Sequence, residues 1–425
     1  MKTPSKLGSV WRDYLERSFS LTVPAAAILA AFAVSGLIIL AWGSDPIAAF
    51  GALSSGAFGS PNAIATTLQR MTPLLFTGLA VAYGYRGGFF NIGAEGQLYM
   101  GAMAAVWVGI NLPDLPQAIL LPLCILASAL AGMLWVLLPA YLKSRRGINE
   151  VLTTLLLNYI AIQWFEYIIR VDHFQKDVVI YGGAEANWKF INFLGLKDAA
   201  QPHPKSPMLV DATFMPSLQT LVESKWFTAL FGNAAWYHDL LQVNALDRIT
   251  LAPLLGWLMA LFMFFLMFKT VTGYRSRAVG ANPEAARFMG INIKQTLFKT
   301  ALISGMLGGL AGGMEVLGTQ HRVIPNFLIN AGFDGIPVAL IGQLHPLGAV
   351  LSSLFFGALR AGANKMQVIT SVPVAVVYVI QSLAIIFAIA GTTFDIGNKL
   401  KKRRISRESD EKKKIAAADG EVSNA

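Results

Sequence analysis

The feature that most constrains this chain is a series of long apolar runs. Most are close to the ~20 residues that a helix needs to cross a bilayer, and few contain charged residues. Only helices and closed barrels satisfy all their backbone hydrogen bonds in lipid, and runs of this length are typical of helices. We therefore predict an all-α polytopic membrane protein with about ten crossings. The predicted spans are 21–42, 69–85, 88–110, 117–141, 151–169, 249–268, 297–317, 335–344, 346–363 and 372–391.

One predicted span, 335–344, is too short to cross a bilayer as a straight helix. The sequence Leu344-His-Pro346 separates it from the next apolar run. If the two runs formed one crossing, the basic C-terminal tail would lie outside the cell, against the preference of Lys and Arg for the cytoplasmic side. We therefore expect some crossings to be discontinuous helices, which tend to line transport routes.

The basic residues predict the orientation of the chain. There are 34 Lys and Arg against 24 Asp and Glu, and their clustering between spans indicates cytoplasmic loops rather than nucleic-acid binding. Residues 1–20 are predicted to be a cytoplasmic N-terminal segment, 269–296 a cytoplasmic loop and 392–425 a basic, disordered cytoplasmic tail. Within the membrane domain, 21–391, residues 171–247 form a long segment on the outer side.

Several classes of chemistry have no support in the sequence. It lacks G-x-x-x-x-G-K-[ST], H-E-x-x-H and G-x-S-x-G, the motifs of P-loop ATPases, zinc proteases and serine hydrolases. Its five histidines are scattered, and Cys124 is its one cysteine. We therefore expect no catalytic residues, no metal site, no cofactor and no disulfide within the chain.

The stretch Phe89-Phe-Asn-Ile-Gly-Ala-Glu-Gly-Gln97 places unusual polarity at the start of an apolar run. Polar and ionisable side chains inside a membrane are functional hypotheses by default. Asn91, Glu95 and Gln97 are therefore candidates for a substrate pathway, and Phe89 offers a ring on which a flat solute could stack. The alternative is that the polar groups only cap a broken helix and bond its backbone.

Asn158 and Asp334 are two further polar candidates. Asn158 lies within the apolar run 151–169, where it either contacts a solute or bonds a neighbouring helix. Asp334 precedes the short run 335–344. An acid is favourable at a helix N-terminus in any case, but its position at a helix break also makes Asp334 a candidate for solute contact.

Glycines recur at intervals of four in the run 297–317. Gly305, Gly309 and Gly313 form one set, and Gly308 and Gly312 form another. This spacing places each set on one helix face and allows a neighbouring backbone to approach closely. We predict that this helix is interior rather than exposed to lipid.

The stretch Arg277-Ala-Val-Gly-Ala-Asn-Pro-Glu-Ala-Ala-Arg-Phe-Met-Gly-Ile291 predicts a short polar helix in the cytoplasmic loop. Asn282 is a suitable N-cap, Pro283 fits the first turn, and Glu284 favours the positive end of the helix dipole. So short a helix is marginal alone in water. Because only Phe288 and Met289 are large and apolar, docking onto a partner protein is favoured over anchoring in lipid.

Four stretches, 89–102, 148–161, 277–291 and 332–362, together resemble permease subunits of bacterial ATP-binding cassette (ABC) importers, in the branched-chain amino acid and simple-sugar permease family. The resemblance implies that 279–290 is a coupling helix seated on a separate ATPase subunit. Its predicted residues are Gly280, Ala281, Asn282, Pro283, Glu284, Ala285, Ala286 and Arg287.

The resemblance also implies a second permease subunit, a solute-binding protein on the outer side and a location in the bacterial plasma membrane. The forms N-E-V-x-x-T-x-x-L-N-Y and G-A-N-P-E-A-A-R are most similar to permeases for nucleosides, so inward nucleoside transport is expected. A simple sugar such as ribose is the alternative, followed by branched-chain amino acids. An ion-coupled secondary transporter is disfavoured, because Glu95 is the one clear acid well within a predicted span.

Overall fold

The computed structural model describes residues 25–171, 194–198, 200, 202–231, 245–328 and 330–393. Within this part of the chain the protein is helical and contains no β-strand, which confirms the all-α class; Ser217 and Thr250 form one isolated bridge. The predicted N-terminal segment 1–20, the tail from 394 onward, and residues 172–193 and 232–244 of the long outer segment lie outside the described residues.

The helices are numbered here in chain order. They are α1 (Ala25–Ala41), α2 (Pro46–Phe58), α3 (Pro61–Arg86), α4 (Ala94–Asn111), α5 (Gln117–Trp135), α6 (Leu137–Tyr141), α7 (Glu150–Ile168), α8 (Leu218–Val222), α9 (Lys225–Phe231), α10 (Ala252–Lys269), α11 (Val271–Ala281), α12 (Pro283–Phe288), α13 (Ile293–Glu315), α14 (Gly335–Ile341), α15 (Pro346–Thr370) and α16 (Ala375–Thr393).

These helices belong to two compact units. The larger unit runs from Ser44 to Val374 and contains α2 to α15, whereas α1 and α16 belong to the other. Both candidate regions described below lie in the larger unit.

Helix α3 is the central helix of the larger unit. Every residue from Met71 to Gly84 is buried, and α3 packs against α10, α13, α14 and α15. The buried Thr72 and Thr77 bond their own helix, since their hydroxyls donate to the carbonyls of Leu68 at 2.8 Å and Pro73 at 3.0 Å. Internal bonding of this kind allows polar residues in a buried helix.

Helix α13 confirms the prediction of an interior, glycine-lined helix. A Cβ placed on Gly312 would lie 1.9 Å from the Leu98 carbonyl oxygen in α4, and one on Gly309 would lie 2.2 Å from the Ser128 carbonyl oxygen in α5. The backbones of α4, α5 and α13 are therefore in direct contact, and no side chain separates them at these points.

Among the described residues, five helices are long and apolar enough to cross a membrane: α5, α7, α10, α15, and α13 together with the π-helical turn Val316–Gln320. The apolar helices α1, α2 and the segment Ala375–Ala388 of α16 are shorter. A multi-pass membrane protein is consistent with these helices, while the number of crossings and the side on which each terminus lies stay predictions. Helix α2, whose first turn is capped by Asp45, is not among the predicted spans.

The predicted break at Leu344-His-Pro346 is confirmed. Helix α14 ends at Ile341, Gln343 and Leu344 both have φ near +55°, and α15 begins at Pro346. Left-handed backbone is uncommon for residues other than glycine, so two such residues in succession mark a sharp reversal of the chain. We refer to residues 330–344 as the broken segment.

Candidate functional site

Helix α12 has the local structure that its sequence predicts. The Asn282 backbone is extended, and its side-chain oxygen accepts a hydrogen bond from the amide of Ala285 at 3.0 Å. Pro283 occupies the first turn, and Gly290, with φ of +76°, follows the end of the helix. Gly280 and Ala281, which the sequence analysis assigned to the coupling helix, instead end the separate helix α11.

Helix α12 is exposed except at Ala286. Glu284 and Arg287 are exposed, whereas Ala286 is buried against the rest of the protein. At the C-terminal end, Phe288 is 91% exposed and Met289 is 58% exposed. Large apolar side chains with this exposure on a polar helix are typical of a protein-binding surface.

Helix α11 connects α12 to the interior of the larger unit. A Cβ on Gly280 would lie 2.1 Å from the carbonyl oxygen of Arg86, at the end of α3. Gly88, which has φ of +79°, lies against Gly280. A displacement of α11 therefore acts directly on the backbone that joins α3 to α4.

Aromatic and cationic side chains form a second contact at this end of α3. The guanidinium carbons of Arg86 and Arg277 lie 5.5 and 4.9 Å from the ring centre of Phe268, within the range of cation–π attraction. The His345 ring stacks on the same phenyl ring, with centroids 5.2 Å apart. Arg86 also donates to the Gln343 carbonyl at 3.2 Å. The contact thus joins α3, α10, α11 and the broken segment, and it was not predicted from the sequence.

The predicted pair Asn91 and Gln97 lies between α3 and α13. Both side chains are buried, and they exchange two hydrogen bonds of 2.9 and 3.1 Å. Asn91 also donates to the Ser304 hydroxyl at 2.8 Å and accepts from the Gly93 amide at 2.9 Å. Ser304 in turn donates to the Ala80 carbonyl at 2.7 Å. Together these bonds fix the start of α4 against both helices.

Asn158 of α7 bonds both the loop before α4 and the first turn of α4. Its side-chain oxygen accepts from the Gly96 amide at 2.9 Å, and its side-chain nitrogen donates to the Ile92 carbonyl at 2.8 Å. Asn158 is 1% exposed, so α7 and the loop before α4 are joined by a buried pair of hydrogen bonds.

Glu95 joins α4 to the broken segment. Its carboxyl group is buried and accepts hydrogen bonds from the backbone amides of Asn330, at 3.1 Å, Gly332, and Phe333, at 3.3 Å. A Cβ on Gly332 would lie 2.2 Å from the Glu95 backbone nitrogen, which shows how closely the two backbones approach.

The two remaining candidates have different surroundings. Asp334 precedes α14 but makes no side-chain cap; its carboxylate instead pairs with Arg360 of α15. Phe89 is fully buried in an apolar cluster with Val136, Ala140 and Ala301, so its ring is closed to a solute in this conformation. The pairings of Asp334 with Arg360 and of Asn91 with Ser304 were not predicted, because nothing in one sequence pairs residues so far apart along the chain.

The structure thus brings five of the six pathway candidates into hydrogen-bonded contacts around the start of α4 and the broken segment. In this conformation their polar groups bond the protein, so solute contact by these residues stays a prediction. Within the described residues, no group of three or more His, Cys, Asp or Glu side chains could hold a metal ion.

Comparison with known families decides the identity of the chain. Residues 63–389 match the family described as the permease component of the branched-chain amino acid transport system. The chain belongs to this permease family. The match includes the polar loop before α4, helices α11 and α12, and the broken segment, so the candidate regions above are parts of a transport subunit.

Individual relatives are similar over most of this permease. The guanosine ABC transporter permease protein NupP of Bacillus subtilis is 33% identical, over 92% of this chain and 99% of its own length. The nucleoside ABC transporter permease protein NupB of Lactococcus lactis is 29% identical, over 92% of this chain and 96% of its own. The glucose ABC transporter permease protein TsgB13 of Haloferax volcanii is 33% identical, over 87% of each chain. No solved structure matches the permease.

Proposed function

We propose that this permease is the membrane subunit of an ABC importer that moves nucleosides inward. The observation that carries the proposal is its similarity to the guanosine permease NupP over nearly the full length of both chains. The similarity to the nucleoside permease NupB supports the same solute class. Because a glucose permease is equally similar in identity, a simple sugar is the second candidate.

The proposed assembly contains three further components in a bacterial plasma membrane. An ABC ATPase subunit binds α12 and supplies the energy, since this chain lacks a P-loop. A second permease subunit completes the pathway, and a solute-binding protein delivers the solute from the outer side. The exposed Phe288 and the cap of α12 support this role for the helix.

The proposed pathway passes the start of α4 and the broken segment, where the polar candidates are concentrated. For a nucleoside base, Tyr85 and Phe90 are better stacking partners than the buried Phe89. Their rings meet edge to face with centroids 5.1 Å apart, and Tyr85 is 46% exposed. Aromatic side chains bind a flat base with little sequence preference, because every base has a π-face.

The test is uptake of labelled guanosine by cells with the gene intact, deleted and restored. We expect deletion to reduce uptake to background and restoration to recover it. Excess unlabelled nucleosides should compete, whereas glucose, ribose and leucine should not. Normal guanosine uptake in the deletion strain, together with lost glucose or ribose uptake, would reject the nucleoside assignment and favour the sugar.

A single substitution tests the role of α12. We expect Phe288→Ala to abolish most uptake and the stimulation of the ATPase by solute, because a buried aromatic anchor commonly contributes ~2 kcal/mol or more to an interface. The amount of protein in the membrane should stay unchanged, since the Phe288 side chain is 91% exposed and contributes little to folding.

The matched control for this substitution is Leu230→Ala in α9, which also removes a large exposed apolar side chain (68% exposed). We expect the Leu230 variant to transport normally. Normal solute-stimulated ATPase activity in the Phe288 variant would remove this residue from the docking surface.

A further inference from the structure

A small polar cavity lies between α11 and α13, next to α12. Its volume is about 60 Å³, and its lining is contributed by Thr272, Arg275, Ser276, Asn292, Gln295, Thr296 and Lys299. Every one of these side chains is polar, two are cationic and none is acidic. The residues that line the cavity therefore offer positive charge and hydrogen-bonding groups, and no negative charge.

The floor of the cavity is fixed in place. Ser276 and Thr296 are buried. The Ser276 hydroxyl lies 3.0 Å from the Thr300 hydroxyl and 3.3 Å from that of Tyr83, so α3, α11 and α13 meet beneath the cavity. The Thr296 hydroxyl donates to the Asn292 carbonyl at 2.8 Å. The cavity is therefore a defined feature of the helix packing.

The rim of the cavity carries hydrogen-bond donors for which the described part of the chain provides no acceptor. Arg275 and Lys299 are exposed, and the described part of the chain gives neither an acidic partner. The Asn292 side-chain oxygen accepts from the Gln295 amide at 3.1 Å, so the donor that Asn292 still offers is its side-chain nitrogen. An excess of donors and positive charge over acceptors is complementary to an anion with several oxygens.

We propose that this cavity binds a phosphate group. Its volume corresponds to about four to six waters at ~10–15 Å³ each, which suits the four oxygens of one tetrahedral oxyanion and is too small for a whole nucleotide. Arg275 supplies a planar fork for two oxygens, and Lys299 supplies a point charge. The phosphate belongs either to the headgroup of an anionic lipid or to a phosphorylated solute. The site joins α11 to α13 at the base of α12.

The test uses the full-length permease in nanodiscs of phosphatidylcholine. Inorganic phosphate is titrated by calorimetry, and retention of phosphatidylglycerol from mixed nanodiscs is measured by native mass spectrometry. The double variant Arg275→Gln/Lys299→Gln should weaken binding of at least one probe by about tenfold or more, because each charge-assisted hydrogen bond contributes about this factor. Loss for phosphate alone identifies a soluble ligand, and loss for phosphatidylglycerol alone identifies a lipid.

The control variant Lys294→Gln/Arg146→Gln removes the same charge from two exposed cations that do not line the cavity. It should bind both probes as the native protein does. If both double variants lost the same amount of probe binding, general surface charge would explain the loss, and the proposal would be overturned. Absence of binding of both probes to the native protein would overturn it as well. Neither outcome depends on which solute the permease transports.

Discussion

Replacing Gly312 by alanine is expected to destabilise the permease by at least the ~3 kcal/mol that marks the upper end of ordinary overpacking. The added Cβ would lie 1.9 Å from the Leu98 carbonyl oxygen and 2.8 Å from the Ala102 nitrogen. These are backbone atoms of α4 and cannot rotate away as a side chain can. Helices α4 and α13 must therefore separate, and every neighbouring contact between them weakens.

The measurement is denaturant unfolding of the purified protein, together with its abundance in the membrane. The matched control is Gly51→Ala in α2, where no atom lies within 4 Å of the added Cβ. Alanine is favoured over glycine in a helix by up to ~1 kcal/mol, so this control should be neutral or slightly stabilised. A Gly312→Ala protein as stable as the native permease would show that α4 and α13 pack less tightly than described.

Replacing Glu95 by alanine is expected to abolish uptake and to lower stability by several kcal/mol. The substitution leaves the amides of Asn330, Gly332 and Phe333 without an acceptor. Gly332 is buried, Phe333 is partly buried and Asn330 is exposed, so the Gly332 amide contributes most of the loss: a buried donor left unsatisfied costs ~1–3 kcal/mol. Removing the buried side chain itself adds a cavity to this cost. Glu95→Gln should have an intermediate effect, because the glutamine retains one acceptor oxygen but turns an NH₂ group toward the remaining donors.

Three measurements check the role of Glu95: unfolding, uptake, and protease sensitivity of the broken segment. Asp114→Ala is the control, since it removes an exposed acid from the turn between α4 and α5. If the Glu95→Ala protein were stable and protease-resistant but inactive, Glu95 would act on the solute and not as a support for the broken segment. That outcome would favour the original interpretation of Glu95 as a pathway residue.

The sequence predicted the helical class, the broken helix and the α12 cap because each depends on neighbours along the chain. The cap of Asn282 on Ala285 and the break before Pro346 are local features of this kind. The interior position of α13 was also predictable, since glycines at intervals of four indicate close helix packing whatever the partner.

Pairings between distant residues were not predictable. Asn91 was a candidate from its position in an apolar run, but its bond to Ser304 depends on how α13 packs. Asp334 was expected at a helix N-terminus, yet its carboxylate pairs with Arg360. The joint contact of Arg86, Arg277 and His345 with Phe268 likewise arises from the tertiary packing of four separate segments.

The burial of α3 has a consequence for the insertion of the helices into the membrane. Neither α3 nor α4 is among the helices apolar enough to cross a membrane by composition, yet α3 packs against α13, α14 and α15, which the ribosome makes much later. Its polar residues lack their final surroundings until those helices arrive. We therefore expect α3 and α4 to stay in contact with the insertion machinery until α13, α14 and α15 have been synthesised. A chain truncated before α13 should then fail to integrate α3 stably into the membrane.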